Sequence, residues 1–154
     1  MISEEYLKII REAERYLKEL TPTDKKIGRS LFESRRALFL KQGYVSGLSG
    51  LIEACTIFLE KVKEGWSPKL ETYGRYLLLR LNDIADESWR FRGEDREIVK
   101  DAYNTLRKLQ KTIRDVINTR GEIDKSRLEE LQKETDRILL KLYSIEKELA
   151  LYTR

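Results

Sequence analysis

The stretch SLFESRRALFLKQGYVSGLSGLIEACTIFL, Ser30 to Leu59, decides the fold. It is the most apolar part of the chain, and Arg35-Arg36 add a basic pair near its start. Ile27, Leu31 and Leu38 line one side of a helix, with Phe32 and Phe39 beside them. Beyond Lys41-Gln42-Gly43, the residues Tyr44, Val45, Leu48, Leu51, Ile52, Cys55, Phe58, Leu59 and Val62 recur at the three- and four-residue spacing of a second apolar face. The pattern predicts two helices meeting at Gly43, with the glycine as C-cap of the first. Gly47 and Gly50 then fall inside the second helix, where each costs about 1 kcal/mol relative to alanine. The expectation is that Tyr44 to Val62 form the most buried helix, with Gly47 and Gly50 admitting a close neighbour. Leu48, Leu51, Ile52, Cys55 and Phe58 are its expected core.

Working outward, the first helix follows Ser3 and turns Tyr6, Ile9, Ile10, Ala13, Tyr16, Leu17 and Leu20 to one side. Thr21-Pro22 reads as the cap and first position of the next helix. Gly65-Trp66-Ser67-Pro68 is similar punctuation, with Ser67 as cap. A fourth helix carries Leu70, Tyr73, Leu77, Leu81 and Ile84 inward, and Glu87–Asp95 reads as a loop. A fifth carries Ile98, Ala102, Leu106, Leu109, Ile113 and Val116. Asn118–Asp124 reads as a turn with Gly121 at its tip and Asp124 as the following cap. The sixth carries Leu128, Leu131, Thr135, Ile138, Leu142, Ile145, Leu149 and Tyr152, a near-complete heptad stripe. The expected fold is all-α: a single-domain bundle of about six helices over residues 1–154, its last two paired as an antiparallel hairpin.

With 154 residues the chain can bury a real core. Charged residues make up 38 %, against two prolines and eight glycines, which favours long uninterrupted helices. No apolar run reaches membrane-spanning length, and MISEEYLKII has no signal-peptide pattern. The lone cysteine, Cys55, lies on the apolar stripe as a small hydrophobe, and its solitude fits a reducing cytoplasm.

Catalytic chemistry has little to work with. The chain has no histidine, so the commonest general base and metal ligand is missing. Phosphate-cradling glycine loops and paired-cysteine metal motifs are also missing. Asp83, Asp86 and Glu87 have a spacing that can hold Mg²⁺, and Glu130 with Glu134 would be the facing acidic pair. That leaves a Mg²⁺-dependent nucleotide hydrolase as a third reading. No cofactor is expected under the first.

The basic residues point elsewhere. Net charge is +4, from 31 lysines and arginines against 27 acids. Lys25, Arg29 and Arg36 fall within about 40° on a helical wheel, with Phe32 at the edge of that face. Such a basic row with an aromatic beside it suits a phosphate backbone. Trp89-Arg90-Phe91-Arg92 alternates aromatic and guanidinium groups and offers a second contact. A solvated face and a loop whose Trp89 and Phe91 are tucked into the core are the plainer alternatives.

Ser30-Leu31, the Gln42-Gly43 step and the run Val45, Leu48, Leu51, Ile52 resemble the small all-helical subunit of type III-B CRISPR effector complexes, the Cmr family. The closing helix is similar in kind, with Thr135, Ile138, Leu139, Leu142 and Ala150. The chain departs from that pattern where Tyr143 and Lys147 replace an aromatic-basic pair, and where the first helix lacks a proline. The resemblance covers Ser30–Leu59 and the last twenty or so residues. It implies a non-catalytic, antiviral-defence role: subunits stacked along an effector filament beside other subunits, presenting basic side chains to a guide–target RNA duplex. On that reading Lys25, Arg29, Arg36, Arg90 and Arg92 contact nucleic acid. The alternative is a structural adaptor that binds a protein partner through its C-terminal heptad hairpin.

Overall fold

In the computed structural model the backbone is described for residues 4–18 and 22–153, and side chains for residues 4–5, 7–12 and 35–151. The described residues form five α-helices: α1 (Glu4–Lys18), α2 (Pro22–Glu64), α3 (Pro68–Asp83), α4 (Gly93–Asn118) and α5 (Lys125–Thr153). One 3-10 turn, Ser88–Arg90, lies between α3 and α4, and no strand occurs among the described residues. The expected caps Ser3 and Thr21 lie outside the described residues.

The expected break at Gly43 does not occur. α2 is one helix of 43 residues, about 65 Å long at 1.5 Å per residue. Among the described residues, positive φ at glycine is confined to Gly65, Gly93 and Gly121, so Gly43 does not adopt the left-handed C-cap. The reason is phase. Leu38 and Val45 are seven residues apart, so the apolar face crosses Gly43 without rotating. Two of the six expected helices are therefore one.

The C-terminal part of α2 joins α3, α4 and α5 in an up-down-up-down bundle. Contacts fix the directions. Tyr73 of α3 lies edge-on to Phe58 at 5.7 Å, and Tyr44 reaches Ala85 beyond the other end of α3, so α2 and α3 run antiparallel. Gln132 of α5 bonds Glu60 and Lys63, while Glu146 accepts from Ser46 and Ser49, so α2 and α5 are antiparallel too. Across α4 and α5, Glu134 meets Thr105 and Lys108 while Arg127 meets Asp115. α1 packs against α2.

The core is the apolar phase of these four helices. Val45, Leu48, Ile52, Cys55 and Phe58 of α2 and Val99, Ala102, Leu106, Leu109 and Ile113 of α4 are fully buried. Leu128, Leu131, Ile138, Leu142, Ile145 and Leu149 of α5 close it. Leu51, expected among the most buried, is only half-buried at the margin. Ser67 caps α3 as expected, its hydroxyl accepting from the Leu70 N–H at 3.3 Å. The far end of α3 is closed by a residue from α4. The half-buried Arg107 guanidinium donates to the carbonyls of Leu81 (2.9 Å) and Ile84 (2.7 Å), which have no partner within the helix.

Close backbone approach falls on a different glycine from the two expected. Gly47 and Gly50 face outward, and a Cβ on either would meet nothing within 4 Å. Gly74 of α3 is buried, and its Cβ would lie 2.8 Å from Phe58 Cζ and 3.0 Å from Ile117 Cδ1. Gly74→Ala should therefore cost about 1–3 kcal/mol in chemical unfolding, as overpacking does, despite its better helix propensity. A gain in stability would contradict this account of the α2–α3–α4 contact.

Candidate nucleic-acid interface

The stretch between α3 and α4 is held from below. Tyr44 of α2 donates its hydroxyl proton to the Ala85 carbonyl (2.7 Å) and accepts the Glu87 N–H (3.1 Å). Burial pushes the Tyr44 phenol above its ordinary pKa, so the hydroxyl keeps its proton. The Asp86 carboxylate accepts the Ser88 N–H at 2.9 Å. That bond holds Asp86 below the usual carboxylate range, with Lys100 and Arg96 adding to the effect. The 3-10 turn has three residues per turn, so Ser88 and Phe91 share its inner side. Both are buried, and the Phe91 ring sits 6.3 Å from that of Tyr44, with Lys41 Nζ 5.8 Å above it.

Trp89 and Arg90, between those two anchors, face out. Trp89 is 62 % exposed. The Arg90 guanidinium lies over the indole at 4.3 Å and is oriented by Glu87, which accepts from Nε (3.2 Å) and Nη2 (3.1 Å). Arg92 is exposed, immediately ahead of α4, and takes part in no ion pair recorded among the described residues. Of the two arginines expected to contact nucleic acid, Arg92 is exposed, whereas Arg90 is partly buried in its pair with Glu87. The sequence reading is corrected for the aromatics, since only Phe91 belongs to the core. The expected loop over Glu87–Asp95 is likewise shorter, because α4 begins at Gly93.

Arg36 is exposed on α2 and also takes part in no ion pair recorded among the described residues. Lys25 and Arg29 lie on α2, but their side chains lie outside the described residues. The structure does not merge Arg36 with the turn. Arg36 and Lys41 are five residues apart on one helix, so they point roughly 140° apart and sit about 7.5 Å apart along the axis. Arg36 instead shares a face with Leu40, Gly43, Gly47, Gly50, Ala54 and Ile57, at alternating four- and three-residue steps. Leu40 and Ile57 are 39 % and 48 % exposed.

Three of the five acidic groups weighed for a metal are engaged in the fold, while Asp83 and Glu130 are exposed. Asp86 and Glu87 organise the turn, Glu134 ties α5 to α4, and Asp83 is the exposed last residue of α3. Among the described residues no three His, Cys, Asp or Glu side chains are placed to hold a metal ion. Burial pushes the Cys55 thiol up to about 12, far from a reactive thiolate. No helix among the described residues is long and apolar enough to cross a membrane.

Comparison with family models, curated proteins and solved structures gives no match. The resemblance to the Cmr family thus rests on the residues quoted for it.

Proposed function

We propose that the chain is a non-catalytic, cytoplasmic RNA-binding subunit of a larger ribonucleoprotein effector. The observation that carries this reading is the 3-10 turn, which holds Trp89 and Arg90 outward beside the exposed Arg92. Guanidinium and indole groups fixed at a surface are suited to phosphates and to the faces of bases. Arg36 contributes from α2, and Lys25 and Arg29 extend its row. The resemblance supplies the context: other effector subunits, a guide–target RNA, and self-association along a filament. Contacts of this kind neutralise phosphates and carry no sequence information.

Replacing Arg36 and Arg92 together by glutamate should weaken RNA binding without unfolding the protein, since both are exposed. The loss should be similar for RNAs of different sequence. The slope of log affinity against log salt should fall by roughly 1.4–1.8, at about 0.7–0.9 per lost contact. An unchanged slope in the double variant would move the interface off these residues.

A second reading, an adaptor that binds a protein partner, is favoured by two exposed helix faces. The heptad stripe of an α4–α5 hairpin faces the bundle's own core, so a partner would need the outer side of α5, where Leu140, Tyr143 and Leu151 are exposed. The other face is the Leu40–Ile57 stripe of α2. RNA binding by the isolated chain separates the two readings.

A further inference from the structure

The nature of the bound strand can be taken further, on the reading above that the Ser88–Arg90 turn faces nucleic acid. We propose that Trp89 is a stacking platform for an unpaired nucleobase, so that the turn takes a single-stranded segment rather than a continuous duplex.

Three features of the turn carry this. The first is exposure on a rigid support. Trp89 is the larger of the two ring systems in the turn, yet it is 62 % exposed while Phe91 is only 3 % exposed. Its backbone is pinned on both sides, by the buried Ser88 and by Phe91 against Tyr44. A rigid exposed indole loses little conformational freedom when a planar group lands on it.

The second is that one ring face is already taken. Arg90 covers it at 4.3 Å, and Glu87 holds the guanidinium in that position. Among the described residues no second ring or cation is recorded on the other face. A flat aromatic ligand completes a guanidinium–indole–base stack there, and every nucleobase has such a face.

The third is charge. The two carboxylates of the turn are engaged, Asp86 by the Ser88 N–H and Glu87 by Arg90. Arg92, three residues beyond Trp89, is exposed and available for the phosphate next to a stacked base. The bases of a continuous duplex have both faces occupied by their neighbours, so only an unpaired one can stack here.

The full chain has two tryptophans. Trp66→Phe leaves Trp89 as the only indole and keeps the Cβ that lies against Gly121. This variant is titrated with three probes of equal length: an oligouridylate, the same phosphodiester strand without bases, and an RNA duplex. The oligouridylate should quench the Trp89 fluorescence and bind at least about ten-fold tighter than the abasic strand. The duplex should not quench. Trp89→Ala should bring oligouridylate affinity down to the abasic level, with the thermal midpoint unchanged, and Trp89→Tyr should restore most of it. Equal affinity for the oligouridylate and the abasic strand, or no effect of Trp89→Ala, would overturn the stacking platform and leave phosphate binding standing. Failure of every probe to bind at low salt would overturn RNA binding itself, and the platform with it.

Discussion

Phe58→Ala should lower the free energy of unfolding by about 3–5 kcal/mol, the range for removing a large buried aromatic. Phe58 is fully buried on α2, edge-on to Tyr73 of α3, and its ring tip occupies the space that Gly74 leaves open. The cavity borders α2, α3 and α4 together, and the surrounding helices can close on it only in part. Urea denaturation of the wild type and variant measures the loss. Leu51→Ala is the internal comparison. Leu51 is half-buried, so its loss should be clearly smaller than that of Phe58. A loss below about 1 kcal/mol for Phe58→Ala would mean that α2 is not the helix around which the bundle is packed.

Replacing Gly43, Gly47 and Gly50 together by alanine should stabilise the chain by about 3 kcal/mol, near 1 kcal/mol for each. All three are helical and exposed, with nothing within 4 Å of an added Cβ. The gain comes from the unfolded chain, which loses freedom, and from helix propensity within α2. The change should leave RNA binding intact, because no glycine lies in the Ser88–Arg90 turn. A loss of stability would show that α2 bends or opens at Gly43. A stabilised chain that no longer associates with a protein partner would support the adaptor reading.

These two predictions mark what the sequence made legible. The apolar phase of α3, α4, α5 and of α2 from Tyr44 onward was readable, because burial on one face leaves a 3.6-residue period. The faces expected from Tyr6, Ala13, Tyr16, Leu17, Leu20, Ile27, Leu31 and Phe32 lie outside the described side chains. The fate of Gly43 was readable from the same phase, since Leu38 and Val45 keep one register, but a glycine beside polar residues imitates a C-cap. The packing glycine was readable too. Gly74 stands between Leu70 and Leu77 on the buried stripe, whereas Gly47 and Gly50 stand opposite theirs. The turn was harder. In Trp89-Arg90-Phe91-Arg92 the alternation suggests two equivalent aromatics, and a single 3-10 turn separates them. Its anchor is Tyr44, which meets Ala85 from 41 positions away. Local pattern carries no trace of such a contact. The relation between Arg36 and the turn is tertiary for the same reason.

The proposed RNA binding uses cations and an indole on the surface of the chain. The most direct measurement is the affinity of the wild-type chain for a single-stranded RNA at several salt concentrations between about 50 and 200 mM. Phosphate contacts by Lys25, Arg29, Arg36, Arg90 and Arg92 should give a log–log slope near −3.5, at about 0.7 per contact on a single strand. No binding at the lowest salt, or an affinity that salt does not change, would contradict it.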